Sequence, residues 1–302
     1  MIQTVFQSPP LFEIVVSYQN GVYEDVRPVI QAMDPLSYAI LHHATILRFG
    51  WSHKGVLFHG LVESLDNFRG AFAPWYAIWG PRGLSRLVEC LPTPNLLDLL
   101  HVYGAWTGDL TLVPTSPPTL LSPILVDMGA WYGHLHVLAH LEAVCPIDAM
   151  DARTMDGAAA LGHLDVVAFL HRRGGRTSRA LNLAASNGHL DIVRFLHEER
   201  PHEPCTKKAM DSAAGFGHLD IVRFLHAFRG EGCTRAALDG AAAQGHMDVV
   251  RFLLEHRSEG YSPWGLAVVK KSDRDEIAVL LEAHPHMCVE WQHDMEDFEA
   301  YN

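Results

Sequence analysis

A tetrapeptide that returns at nearly constant spacing is the strongest constraint on how this chain can fold. Gly-His-Leu-Asp begins at Gly162, Gly188 and Gly217, and close variants begin at Gly133 and Gly245. The steps between successive copies are 29, 26, 29 and 28 residues. A fixed period of this size is the signature of stacked supersecondary units that each contact only their neighbours. The chain is therefore predicted to contain an array of small repeated units.

The residues before each repeat glycine have the pattern of a short helix. Eleven places before the glycine stands a residue whose side chain can cap a helix N-terminus: Ser122, Asp151, Thr177, Thr206 and Thr234. Small residues such as Ala213 and Ala214 follow at the places where neighbouring helices would touch. The glycine itself suits a left-handed helix end. These features predict a first helix that runs from the cap to the glycine.

A second helix is predicted after each glycine because apolar residues recur three places apart. In the unit of Gly217 they are Leu219, Val222 and Leu225, which lie on one face of a helix. Degenerate copies extend the pattern to "NLLDLLHVYGAWTGDL" from Asn95 and "PWGLAVVKKSDRDEIAVLLEAH" from Pro263. Counted this way, about seven units lie between residues 81 and 284, and the end units are degenerate.

These columns resemble ankyrin repeats, through Ala-Ala-x-x-Gly-His followed by Leu-Asp-Ile-Val-x-x-Leu over Ala213–Leu225. The resemblance implies an all-α, ankyrin-type helical-repeat solenoid of antiparallel helix pairs. The family's usual period is about 33 residues, and its Thr-Pro-Leu-His box is absent here. We therefore expect shortened loops between the repeats instead of projecting β-hairpins.

An acidic or amide residue stands six places before each repeat glycine, where the family has a histidine. The column consists of Asp127, Asp156, Asn182, Asp211 and Asp239. Paired carboxylates can perform acid–base chemistry when they lie close together. A site repeated in every unit favours a structural role, however. We expect each member to accept hydrogen bonds from the neighbouring repeat.

Three regions are predicted. Residues 1–79 form an N-terminal helical region, either degenerate repeats or a small helical domain; "LFEIVVSY" there fits a strand or a buried helix, and "YEDVRPVIQAM" has a helical pattern. Residues 80–284 hold the array of about seven repeats. Residues 285–302 form an acidic C-terminal tail, which has five acids between Glu290 and Glu299.

The resemblance implies a non-catalytic scaffold that binds a protein partner on the concave face of the array, near the two positions before each repeat glycine. These positions vary between copies while their neighbours do not. The predicted partner-binding residues are Trp106, Trp131, Tyr132, Leu161, Asn187, Lys207, Lys208, Phe216 and Gln244. For Trp106 and Trp131 the alternative is packing of the worn repeats against the N-terminal region. Basic residues near the first-helix starts, which also include Arg153, Arg179 and Arg235, would suit an acidic partner segment.

Several other classes of function are disfavoured. A net charge of −12 argues against a nucleic-acid partner, since phosphate binding needs a concentrated basic surface. The chain contains no phosphate-binding loop, nucleophile elbow or dinucleotide fingerprint, so no enzyme activity, catalytic residue or cofactor is predicted. His136 and His140 have the i, i+4 spacing of a zinc site, but no H-E-x-x-H motif accompanies them, and no metal is predicted.

The setting is predicted from the same composition. No run of 18 apolar residues occurs, so no membrane span is expected, and the first residues lack the basic start of a secretory signal. Five cysteines without a C-x-x-C pair indicate reduced thiols in a monomeric cytoplasmic or nuclear protein. The alternative function is an adaptor or substrate receptor, for example of a ubiquitin ligase, whose N-terminal region docks a second protein. An enzyme would need an unrecognised site in that same region.

Overall fold

The computed structural model describes residues 18–19, 22–23, 25–33, 56–90, 96–115, 122–144, 152–177, 179–201, 205–272 and 274–289. The chain divides into two compact units, one of Met1–Gly129 with His136–Ala149 and one of Ala130–Leu135 with Met150–Asn302. Most of "LFEIVVSY", the predicted cap Asp151 and the tail from residue 290 lie outside the described residues. The predicted boundary at residue 79 falls within the helix Val56–Cys90, beside its kink at Gly80 (φ 57°).

The described residues of the first unit are helical apart from one small strand pair. Strands Tyr18–Gln19 and Val22–Tyr23 are antiparallel, and residues 27–33 form the helix that the pattern "YEDVRPVIQAM" predicts. The further helices are Val56–Cys90, Leu96–Thr107, Ser122–Trp131 and Leu135–Val144. Aromatic rings fill the core between them, since both Phe68 and Phe72 meet Tyr103 edge-on at 5.2 Å between centroids.

The second unit consists of stacked helix pairs, as the repeat pattern predicts. The first helices are Ala152–Ala160, Ala180–Ser186, Lys207–Gly215, Arg235–Gln244 and Pro263–Lys271. The second helices are Leu164–Arg172, Leu190–Glu199, Leu219–Phe228, Met247–His256 and Asp275–Glu282. Each first helix packs against the first helix of the next pair. The predicted all-α repeat architecture is confirmed, including the worn pair that begins at Pro263.

The repeat glycines have the left-handed conformation that their position predicts. Gly133, Gly162, Gly188, Gly217 and Gly245 have φ between 73° and 87°, a region that residues with a Cβ rarely adopt. Space is a second reason for glycine. A Cβ on Gly217 would lie 2.6 Å from Nδ1 of His246 in the next repeat.

The connections between repeats are short. In the described residues from 152 to 282, no strand pair lies between one second helix and the next first helix, in agreement with the prediction of short loops in place of the family's hairpins. The last described residues fold back on one such loop. Tyr261 donates its backbone N–H to the carbonyl of Met287, and Val289 donates to the carbonyl of Tyr261, both at 2.9 Å.

Candidate partner-binding surface

One predicted column is exposed along consecutive repeats of the second unit. It is the position directly before the repeat glycine, at the end of each first helix. Leu161 and Phe216 are 48% and 65% exposed, large values for apolar side chains, and Asn187 and Gln244 are exposed as well. Tyr132, which precedes Gly133, is half-buried. These side chains present different chemistry in each repeat.

The two predicted tryptophans lie in the core instead, each 6% exposed. Trp131 donates its indole N–H to the carbonyl of Arg153 at 3.2 Å and packs where Gly157 has no side chain. Trp106 packs beside Tyr103, with ring centroids 5.8 Å apart, and the guanidinium of Arg69 lies 5.1 Å from its ring centroid. Burial of both indoles removes them from the candidate surface.

A ladder of hydrogen bonds fixes the ends of the first helices. Two of the histidines that follow a repeat glycine donate from Nε2 to the carbonyl two residues before the preceding repeat glycine. His163 bonds to Trp131 at 2.9 Å and His189 to Ala160 at 3.2 Å. Arg274 takes the place of the histidine in the last pair and donates to the carbonyl of Ala243. Sequence reasoning placed these histidines at helix starts but missed this bond, although their return after every glycine was the available signal.

The other edge of the first helices is basic. Lys207, Lys208 and Arg179 are exposed at helix starts, and Arg153 and Arg235 are half-buried. The first turns of these four helices contain no acidic residue. Since the N-terminal end of a helix also carries positive partial charge, the edge has a consistently positive character.

The acidic column joins each repeat to the next, which confirms the structural role predicted for it. Asp239 accepts hydrogen bonds from the backbone N–H and the hydroxyl of Ser262 at 2.9 and 2.6 Å. Asp211 accepts the same pair from Thr234 at 2.7 and 2.9 Å. The hydroxyl oxygens of Ser262 and Thr234 in turn accept a backbone N–H of the helix that each residue caps. Each carboxylate therefore holds the cap of the following repeat in place.

Other members of the column vary this theme. Asp156 accepts from the hydroxyl of Thr177 at 2.5 Å and the backbone N–H of Arg179 at 3.1 Å. Asn182 accepts the backbone N–H of Thr206 but donates its amide to the Thr206 hydroxyl. The last repeat has Ala267 at the equivalent position, which offers no acceptor. The carboxylates are thus committed to the joints between repeats, so the column does not form an acid–base pair.

Lowering the pH from 7 to 5 is expected to stabilise the protein relative to its Asp211→Asn variant by about 1 kcal/mol. Burial raises the pKa of Asp211 to about 6, against the hydrogen bonds from Thr234, which lower it. The folded state therefore binds a proton that the unfolded chain, with an ordinary pKa near 3.8, does not bind at pH 5. The gain is complete below pH 3.8 and is lost as the pH rises through 6.

Urea denaturation of both proteins across this pH range measures the effect. The asparagine reproduces the pairing of Asn182 with Thr206 and cannot titrate, so it isolates Asp211 from the other acids. Parallel stability curves for the two proteins between pH 5 and pH 7 would contradict the raised pKa.

The histidine pair considered for zinc is engaged with backbone carbonyls. Nε2 of His136 donates to Gly108 at 2.8 Å, and Nε2 of His140 donates to Pro114 at 3.0 Å. Within the described parts of the chain, no group of three or more His, Cys, Asp or Glu side chains is arranged to hold a metal ion. Cys90, Cys205, Cys233 and Cys288 are free thiols, and burial raises the pKa of Cys233 to about 12.

None of the described helices is both long enough and apolar enough to cross a membrane.

Comparison with known proteins agrees with the repeat geometry. The family model for ankyrin repeats matches residues 155–233 as three copies. No curated protein matches the chain. The matched range covers three of the helix pairs described above, from Ala152–Ala160 to Leu219–Phe228. Residues 155–233 therefore carry ankyrin repeats.

Proposed function

We propose that the protein is a non-catalytic scaffold that binds a protein partner along the exposed ends of its first helices. Ankyrin repeats generally mediate protein–protein interactions and generally lack catalytic activity. The observation that carries the proposal is the exposed column of Leu161, Asn187, Phe216 and Gln244. Its members differ from repeat to repeat, whereas the buried columns three and four places before the glycine are alanine in each of these repeats. Variation confined to an exposed column fits recognition of a particular partner.

Phe216 is the expected centre of this surface. It is 65% exposed and lies between exposed Asn187 and Gln244 of the neighbouring repeats. Aromatic side chains surrounded by polar contacts are the usual anchors of protein interfaces. An anchor of this kind would dominate the affinity of the partner.

Replacing Phe216 with serine is expected to weaken binding of a selected ligand by about tenfold or more. The ligand is obtained by selecting random displayed peptides on the full-length protein, and affinity is measured by fluorescence anisotropy. Phe228→Ser is the matched control, because Phe228 is 62% exposed but lies at the end of a second helix. The free energy of unfolding should change little in either variant, since both rings are exposed.

The proposal fails if Phe228→Ser weakens the selected peptides and Phe216→Ser and Leu161→Ser do not. An adaptor or substrate-receptor role would add a second partner at the N-terminal region, residues 1–79. Selection on the Phe216→Ser variant tests that addition, because peptides that bind it unchanged and lose affinity on substitution of the exposed residues Ile78 or Trp79 would locate a second surface there.

A further inference from the structure

We propose that the partner segment is an extended, acidic stretch of protein that crosses the first helices and places one carboxylate opposite the basic residues of each repeat. This inference rests on the proposed function and names the class of partner. The basic row that it invokes consists of Arg153, Arg179, Lys207, Lys208 and Arg235, on four consecutive first helices.

The basic row is a local exception in an acidic protein. The chain as a whole has a net charge of −12, and the second helices follow the opposite rule. Each of the four second helices from Leu164 to His256 has an aspartate in its first turn, where it complements the helix dipole. The first helices of the same repeats have basic residues at their starts, which the dipole disfavours. The basic side chains and the positive ends of the first helices therefore add up to one positive edge, which would attract an acidic segment.

One intramolecular role for the basic row is to offset the buried carboxylates. Lys207 and Arg235 each lie four residues before an aspartate, and their charges lower the pKa of Asp211 and Asp239 against the effect of burial. Arg179, in the repeat of Asn182, also lies beside a carboxylate, because its backbone N–H donates to Asp156 of the preceding repeat at 3.1 Å. Offsetting the buried column and attracting an acidic partner are compatible roles, since the side chains of Arg179, Lys207 and Lys208 are exposed to solvent.

The spacing of the helices favours an extended partner. Packed helices lie about 8–10 Å apart, and an extended chain in the polyproline II conformation advances about 3.1 Å per residue with three residues per turn, so every third side chain lies on the same face. An acidic residue at every third position would therefore meet successive repeats. A helical partner rises only about 1.5 Å per residue, so its acids would have to be about six residues apart. The three-residue period is a property of the partner that can be read directly from selected sequences.

The surface between the basic row and Phe216 lets a main chain approach closely. Gly215 and Gly240 meet across neighbouring first helices, so that a Cβ on Gly240 would lie 3.2 Å from Cα of Gly215. Between Lys208 and Phe216 only the small residues Ser212 and Gly215 are not buried, and Ala236, Gly240 and Ala243 are the half-buried residues between Arg235 and Gln244. A partner could place its acids on the basic row and an apolar side chain on Phe216.

The test is a selection of random peptides of about twelve residues, long enough to cross four helices, on the full-length protein. Selected peptides are expected to be enriched in Asp and Glu at three-residue intervals. The affinity of the strongest peptide is then measured for the double variant Lys207→Glu/Lys208→Glu. We expect a loss of about tenfold or more, and a marked fall in wild-type affinity between low and high salt.

Arg223→Glu/Arg251→Glu is the matched control. It makes the same change in net charge at two exposed residues of the second helices, so it separates local contacts from the overall field. Its affinity for the peptide should stay within about threefold of the wild type. An equal loss in both double variants would overturn the proposed contact with the basic row.

The remaining outcomes distinguish this inference from the proposed function. Peptides without acidic enrichment that still depend on Phe216 would overturn the inference and leave the proposed function standing. Acidic peptides whose acids show no three-residue period would overturn the extended register. Peptides that depend on neither Phe216 nor the basic row would refute both. A single-stranded oligonucleotide of similar length that binds as tightly as the peptide, and is lost in Lys207→Glu/Lys208→Glu, would identify a nucleic-acid surface and overturn the inference.

Discussion

Gly157→Ala is expected to lower the free energy of unfolding by about 2–3 kcal/mol, a large effect for one added methyl group. A Cβ at this position would lie 1.9 Å from Nε1 of Trp131 and 2.2 Å from its Cδ1. The indole has little room to move, because it is 6% exposed and its N–H is bonded to the carbonyl of Arg153. The added methyl must therefore displace either the ring or the first helix that contains Gly157. Urea denaturation followed by circular dichroism measures the change.

Gly215→Ala is the matched control for this prediction. Gly215 also lies in a first helix, and a Cβ there would meet only Cα of Gly240, at 3.9 Å. Since alanine is the better helix former, that variant should be as stable as the wild type or slightly more stable. The double variant Trp131→Ala/Gly157→Ala should cost less than the sum of the two single variants, because removal of the ring relieves the clash. Additive costs would show that the clash is absent.

Asp239→Ala is expected to destabilise the protein by about 2–3 kcal/mol. The substitution removes the acceptor of both the backbone N–H and the hydroxyl of Ser262. Asp239 and Ser262 are only 1% and 6% exposed, so water cannot readily replace the carboxylate. Relief of the burial that raises the pKa of Asp239 offsets part of the cost. The loss falls at the joint between the last two repeats, and thermal unfolding of the full chain reports it.

Two further variants assign the effect to the hydrogen bonds. Asp239→Asn can accept the N–H of Ser262 and donate to its hydroxyl, as Asn182 does with Thr206, and it should cost less than about 1 kcal/mol. Ser262→Ala should be destabilising alone but add little to Asp239→Ala, because the two residues share one interaction. A melting curve of Asp239→Ala that matches the wild type would rule out the structural role of the carboxylate.

Features that depend on residues within one repeat could be predicted from the sequence. The helix pairs follow from apolar spacing and the left-handed turns from glycine. The role of Asp211 follows from its return in a column that also has a cap residue at fixed distance. In each case the local sequence pattern is compatible with one backbone conformation, and that conformation returns wherever the pattern returns.

The exposure of individual members of the variable column could not be predicted in this way. Variation alone marks the two positions before each glycine, but only the second of them is exposed in residues such as Leu161 and Phe216. At the first position, the backbone carbonyls of Trp131 and Ala160 accept hydrogen bonds from the histidine of the next repeat. Burial of Trp131 depends on Gly157, a residue of the following repeat whose lack of a side chain has no meaning in the sequence until the two helices are placed together.

The joints between repeats bear on how such an array can change length. Each internal repeat contributes one residue to the joint on either side of it. In one such repeat, the cap Thr234 donates to the acceptor of the preceding repeat, and Asp239 accepts from the cap of the following repeat. Duplication or deletion of a whole repeat inside the array therefore leaves every joint complete. A repeat added after the final helix pair would form an incomplete joint, because Ala267 has no side-chain acceptor for the cap of that repeat. Such an array can gain or lose internal modules in a single genetic step while its last module stays in place.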